Sequence, residues 1–76
     1  MTQNPVDEKG TGQSEAREMI SQLSENAAHG SLEELGLIMG RPEEELRRFL
    51  DGVEPVDDDF VMKMRGVAKE RGIDLG

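Results

Sequence analysis

The sequence predicts a small all-α domain, and three observations carry that expectation. Apolar residues recur at spacings of three and four along most of the chain, as on one face of an amphipathic helix, and no segment alternates with the two-residue period of a strand. Helix stop and start signals punctuate the pattern at short intervals: His29-Gly30-Ser31, Gly40-Arg41-Pro42, Asp51-Gly52 and Arg71-Gly72. The chain has 76 residues and no cysteine, so a single unit is expected, held by packing and hydrogen bonds rather than by disulfides or thiolate-bound zinc.

Residues 1–13 hold Pro5, Gly10 and Gly12 and almost no apolar side chains. Such a segment cannot bury enough surface to offset its ordering entropy, so a disordered tail is expected, followed by one domain over 14–76. From Ser14, a plausible N-cap, Ala16, Met19, Ile20, Leu23 and Ala27 fall on one helical face, and Gly30 suits the left-handed position that ends the helix. Ser31-Leu-Glu-Glu34 matches a capping box, in which the Ser31 hydroxyl accepts from the Glu34 amide and the Glu34 side chain reaches back. The second helix then buries Leu32, Leu35 and Met39 and stops at Gly40. Arg41 precedes a proline and is biased away from helical geometry, while Pro42 suits the first helical position. The third helix turns Leu46, Phe49 and Leu50 inward and closes at Asp51-Gly52. After the loop Val53-Glu-Pro-Val56, Asp57 is a second N-cap candidate, and the fourth helix carries Phe60, Val61, Met64, Val67 and Ala68 on one face. The expected architecture is four helices, or five if the C-terminal turn is helical, with Ile73 and Leu75 folding back onto the core or extending a surface patch.

Formal net charge is -8, from 17 acidic and 9 basic residues, and no segment forms a basic arm. That balance disfavours non-specific attraction to nucleic acid or to an anionic membrane. The only aromatic residues are Phe49 and Phe60, which excludes a stacking platform for single strands. No stretch has the apolar length of a membrane span, and the N-terminus lacks the apolar core of a signal peptide. Together with the missing cysteines, this points to a soluble cytoplasmic protein. The lone histidine, His29, leaves too few members for a histidine-based metal site or a catalytic triad, and reads as an exposed or capping residue at a helix end. "VDDDF" (56–60) lacks the alternating oxygen ligands, central glycine and terminal Glu of a calcium loop. A capped first turn whose acids match the helix dipole accounts for it. Met19, Met39 and Met64 fit core spacing, and Met62 reads as exposed. There is no phosphate-binding glycine loop, nucleophile elbow or activated thiol, so neither an enzyme nor a cofactor is expected.

The most informative arrangement is a short helix that stops at Gly40, a tight turn at Arg41 and a second short helix that starts at Pro42, the spacing of a helix-turn-helix. The wider pattern resembles the Xre/Cro family of lambda-repressor-like domains over roughly residues 14–75. "SLEELGLIMG" is similar to that family's second helix, "RPEEELRRFLDG" to its third, and "VMKMRGVAKERGIDL" to its closing helix and tail. The resemblance implies a DNA-binding transcriptional regulator that acts as a dimer on double-stranded DNA. In that family the second helix braces on the phosphate backbone and the third reads base edges. By that correspondence Ser31 and Leu32 face the backbone, while Glu43, Glu44, Arg47 and Arg48 face the groove and Arg41 is the nearest further cation. The sequence departs from the family where Leu32 replaces a phosphate-bonding Gln, where Glu43 and Glu44 replace neutral polar residues, and where Gly36 replaces Ala at a helix cost of roughly 1 kcal/mol.

The acidic first turn has physical consequences. A carboxylate about 5 Å from a phosphate, at an effective dielectric near 20, is repelled by roughly 3 kcal/mol before screening. Two such residues cancel several base contacts of roughly 1–3 kcal/mol each. The same charges also make sense without DNA: Glu43–Arg47 and Glu44–Arg48 are i,i+4 pairs in the favoured order, and acids in a first turn suit the helix dipole. The alternative expectation is therefore an acidic, helix-turn-helix-derived protein-interaction module, antirepressor- or antitoxin-like, that binds a protein partner through these residues and does not bind DNA.

Overall fold

The computed structural model describes residues 12–75. Residues 1–11, most of the expected disordered tail, lie outside the described residues. Four α-helices follow in order: α1 (Gln13–Ala27), α2 (Leu32–Met39), α3 (Glu43–Asp51) and α4 (Asp58–Arg71). No strand occurs among the described residues, and no helix is long and apolar enough to cross a membrane. Residues 73–75 do not form a fifth helix; Ile73 and Leu75 are partly buried and pack against the core.

α1 is the common support, packing on α2, α3 and α4, while α2 and α3 pack on each other. Its buried stripe is Ala16, Met19, Ile20 and Leu23, with Ser24 and Ala28 completing the face. Leu35 and Met39 enter the core from α2, Leu46 and Phe49 from α3, and Phe60, Val61, Met64 and Ala68 from α4. The rings of Phe49 and Phe60 meet at 5.1 Å between centroids, tilted by 53°, and couple α3 to α4. Leu32, Leu50 and Val67 fill the rim of the core, partly buried.

The termini of the helices show how the sequence sets their lengths. α1 begins one residue before the expected cap. Gly12 occupies the cap position with extended backbone and no side-chain bond, so Ser14 lies inside the helix, within 3.5 Å of Arg17 Nη2. Gln13, the first helical residue, has its side-chain amide held by the Val56 backbone. α1 ends at Ala27, and both His29 (φ 55°) and Gly30 (φ 79°) take left-handed geometry. Ser31 caps α2 as expected, its hydroxyl accepting from the Glu34 amide at 3.2 Å. Glu34 does not reach back, because the Ser31 amide already donates to the Ala28 carbonyl at 2.9 Å; its carboxylate instead lies 3.5 Å from His29 Nδ1. Pro42 is the N-cap of α3 rather than its first helical residue, with ψ 147°. Asp57 caps α4, accepting from the Phe60 amide at 2.7 Å.

Two glycines decide the turn between α2 and α3. Gly40 has φ 72°, which lets the Arg41 amide return to the Gly36 carbonyl at 2.9 Å. That return lays the Arg41 backbone directly on α2 at Gly36. A Cβ at Gly36 would stand 2.5 Å from the Arg41 carbonyl oxygen and 3.4 Å from the Glu43 nitrogen. Glycine at this position is therefore required by a close approach of backbone to backbone.

Candidate interaction site

The residues expected to face a partner are Ser31, Arg41, Glu43, Glu44, Arg47 and Arg48. The fold gathers all of them on α3, on the turn before it and at the start of α2. Ser31 is half-buried, and its hydroxyl is engaged in capping.

Arg41 occupies the turn and is the most constrained of the cations. Its Nη1 donates to Glu45 Oε1 at 2.9 Å and lies 3.6 Å from Asp57 Oδ2. Its guanidinium stacks over the Phe60 ring at 5.3 Å from the centroid. Arg41 thus ties the turn to the first turns of α3 and of α4. The hydrogen bond that it donates to Glu45 raises its pKa, partial burial opposes the rise, and the charges of Glu45 and Asp57 add to it. The pKa lies above the unfolded value, so the group's stabilisation is complete below the ordinary guanidinium range and is lost only as pH rises through the raised value. Across every pH at which the fold is useful, Arg41 is charged and occupied.

Arg47 Nη2 donates to Glu43 Oε2, the expected i,i+4 pair on the exposed side of α3. The second expected pair, Glu44–Arg48, does not form. Arg48 Nε donates instead to Glu54 Oε1 at 3.0 Å. The cause is the way α3 ends. Gly52 is left-handed, and the Val53 and Glu54 amides both bond back to the Arg48 carbonyl, at 3.1 and 3.3 Å. The chain thereby folds Glu54 against Arg48, in a contact that is still open to solvent.

The result is a selective pairing. Every arginine of α3 and its preceding turn is matched to a carboxylate, while Glu44 and Glu33 are exposed with no cationic partner among the described residues. Between residues 31 and 62 the chain carries ten carboxylates and only these three arginines. Lys63, on α4, is the next cation, and its Nζ would sit 3.4 Å from a Cβ placed on Gly40. Leu37 projects from α2 at 80% exposure, the most exposed large apolar side chain among the described residues. Among the described residues no group of three or more His, Cys, Asp or Glu is arranged to hold a metal ion.

Sequence reasoning missed three members of this arrangement. Glu54 and Asp57 become arginine partners only because of helix ends that fold the chain back, and Gln13 was placed in the tail although its side chain closes on the loop before α4. Glu45 pairs with Arg41, which lies four residues before it and outside α3, so pairing rules within one helix do not predict the contact.

No protein-family model matches the chain, and comparison with curated proteins and with solved structures returns no match. The functional reading therefore rests on the residues and their geometry.

Proposed function

We propose that this chain is a protein-interaction module built on a helix-turn-helix arrangement, which presents carboxylates where the domains it resembles present neutral polar residues. The observation that carries this reading is the pairing of Arg41, Arg47 and Arg48 with Glu45, Glu43 and Glu54, beside an unpaired Glu44. Exposed pairs such as Arg47–Glu43 are worth only about 0–1 kcal/mol, so opening them is not the obstacle to phosphate binding. The obstacle is what remains afterwards. Each released carboxylate stays beside its arginine, where a phosphate at about 5 Å meets roughly 3 kcal/mol of repulsion. Freeing an arginine for DNA therefore exposes a charge that cancels its contact.

A second reading, a DNA-binding transcriptional regulator, is favoured by the Gly36–Arg41 turn. Its close backbone packing fixes α3 against α2 and leaves the outer side of α3 projecting. The two readings separate in one experiment. Amide shifts of the full chain are followed while random-sequence duplex DNA is added at low salt. The interaction reading expects α3 to be unmoved. Shifts confined to α3 that collapse between about 50 and 200 mM salt would establish the DNA reading in its place.

A further inference from the structure

We propose that the outer face of α2 docks a basic amphipathic segment of a partner protein, with Leu37 as its apolar anchor; this rests on the reading of the chain as a protein-interaction module. α2 is only partly covered. Leu35, Gly36 and Met39 face inward, whereas Glu33, Glu34 and Leu37 face solvent. Helical spacing puts Glu33 four residues and Glu34 three residues before Leu37, on one strip of surface. Gly40, three residues after Leu37, has no side chain, and the Lys63 ammonium that approaches it is a cation at that end of the strip. An exposed leucine alone needs no explanation. Here it is set among carboxylates, in a part of the chain with ten acids and three arginines, each arginine already paired.

Charge complementarity selects the occupant. A second copy of the chain would oppose the same carboxylates to each other. Nucleic acid and an anionic membrane surface are repelled for the same reason. A cationic segment is attracted, and one that also carries an apolar stripe can cover Leu37 while its cations meet Glu33 and Glu34. An amphipathic helix laid along a helix face meets both demands with one spacing.

The test uses the full chain and three synthetic peptides: a helical lysine/leucine amphipath, the same peptide with Lys replaced by Glu, and the same peptide with its leucines replaced by Ser. The lysine/leucine peptide is expected to shift the amides of Glu33, Glu34, Leu37 and Gly40, and the other two are expected to bind at least tenfold more weakly. Leu37→Ser should lower affinity for the first peptide at least tenfold with unchanged helix content, and Glu33→Lys combined with Glu34→Lys should do the same. Equal binding of the serine-faced peptide, or full affinity in Leu37→Ser, would overturn the proposal by reducing the contact to charge alone. Shifts centred on Glu44 and Arg47 instead of Leu37 would overturn the docking site yet leave the interaction reading standing. Duplex DNA moving α3 while no peptide binds would remove both.

Discussion

The side-chain amide of Gln13 hydrogen-bonds both polar groups of the Val56 backbone, donating from Nε2 to the carbonyl at 3.0 Å and accepting at Oε1 from the N–H at 2.8 Å. One side chain at the start of α1 thus completes the backbone bonding of the loop before α4. Val56 is itself 2% exposed, so its backbone has poor access to water. Gln13→Ala removes both partners at once. Leaving buried backbone groups unsatisfied costs about 2 kcal/mol, which for a domain of this size lowers Tm by roughly 10 °C. Thermal unfolding followed by circular dichroism measures it. A Tm unchanged to within a degree or two would mean that Val56 finds water or another donor.

Gly36→Ala should destabilise the protein, although alanine is the better helix former by roughly 1 kcal/mol. The added Cβ meets the Arg41 carbonyl at 2.5 Å, and this neighbour is backbone that is itself held by Gly40 and Pro42. Relief requires the turn to lift from α2, at a cost of about 1–3 kcal/mol from overpacking. Chemical denaturation with urea gives the sign directly. A gain in stability would show that the turn relaxes freely.

Arg41 should contribute through both its charge and its planar shape. With side-chain exposures of 29% and 19%, Arg41 and Glu45 are less screened than the pairs on the outer face of α3. A double-mutant cycle with Arg41→Ala and Glu45→Gln is expected to give a coupling of about 1 kcal/mol, against about 0.3 kcal/mol for Glu43–Arg47. Arg41→Lys keeps the charge but cannot lie flat on Phe60 while bonding Glu45, so it should recover only part of the loss. Equal couplings for the two pairs would argue that the turn is more solvated than its burial indicates.

Those three sites also mark what was and was not legible in the sequence. The helical face 16-19-20-23, the caps at Ser31 and Asp57 and the stops at Gly40, Gly52 and Gly72 follow from local periodicity and capping chemistry, and the structure has each of them. The Glu43–Arg47 pair was legible for the same reason, since both partners sit on one helix. What local rules miss are contacts made by chain reversal. Arg48 takes Glu54 because the left-handed Gly52 brings the loop back, and Arg41 reaches Asp57 because Phe60 packs beneath it. Composition puts Gln13 in the tail, since it says nothing about an amide meeting a backbone 43 residues away. The sequence shows Gly36 only as a helix cost, and the turn geometry alone shows that backbone, not side chain, is what approaches it.

Glu44 provides the sharpest separation of fold from function. It is exposed on the first turn of α3 and has no cationic partner among the described residues, so little of the fold depends on it. Glu44→Arg loses a favourable charge at a helix N-terminus, worth about 0.5 kcal/mol, and sets a cation three and four residues before Arg47 and Arg48, a like-charge spacing that costs roughly 0.2–0.5 kcal/mol. The net loss of stability is expected to stay at or below about 1 kcal/mol. The effect on recognition should be far larger. A cationic partner that meets the acidic face would lose an attractive contact and gain a repulsive one, so its affinity should fall by tenfold or more and its salt dependence should weaken. Calorimetric titration of the lysine/leucine peptide against Glu44→Arg and the parent chain, at two salt concentrations, reads both effects. Tighter binding of duplex DNA by the same variant is compatible with this outcome, because the substitution removes the carboxylate that opposed it. Unchanged peptide affinity would remove the acidic turn of α3 from the recognition surface and confine it to the Glu33–Leu37 strip of α2.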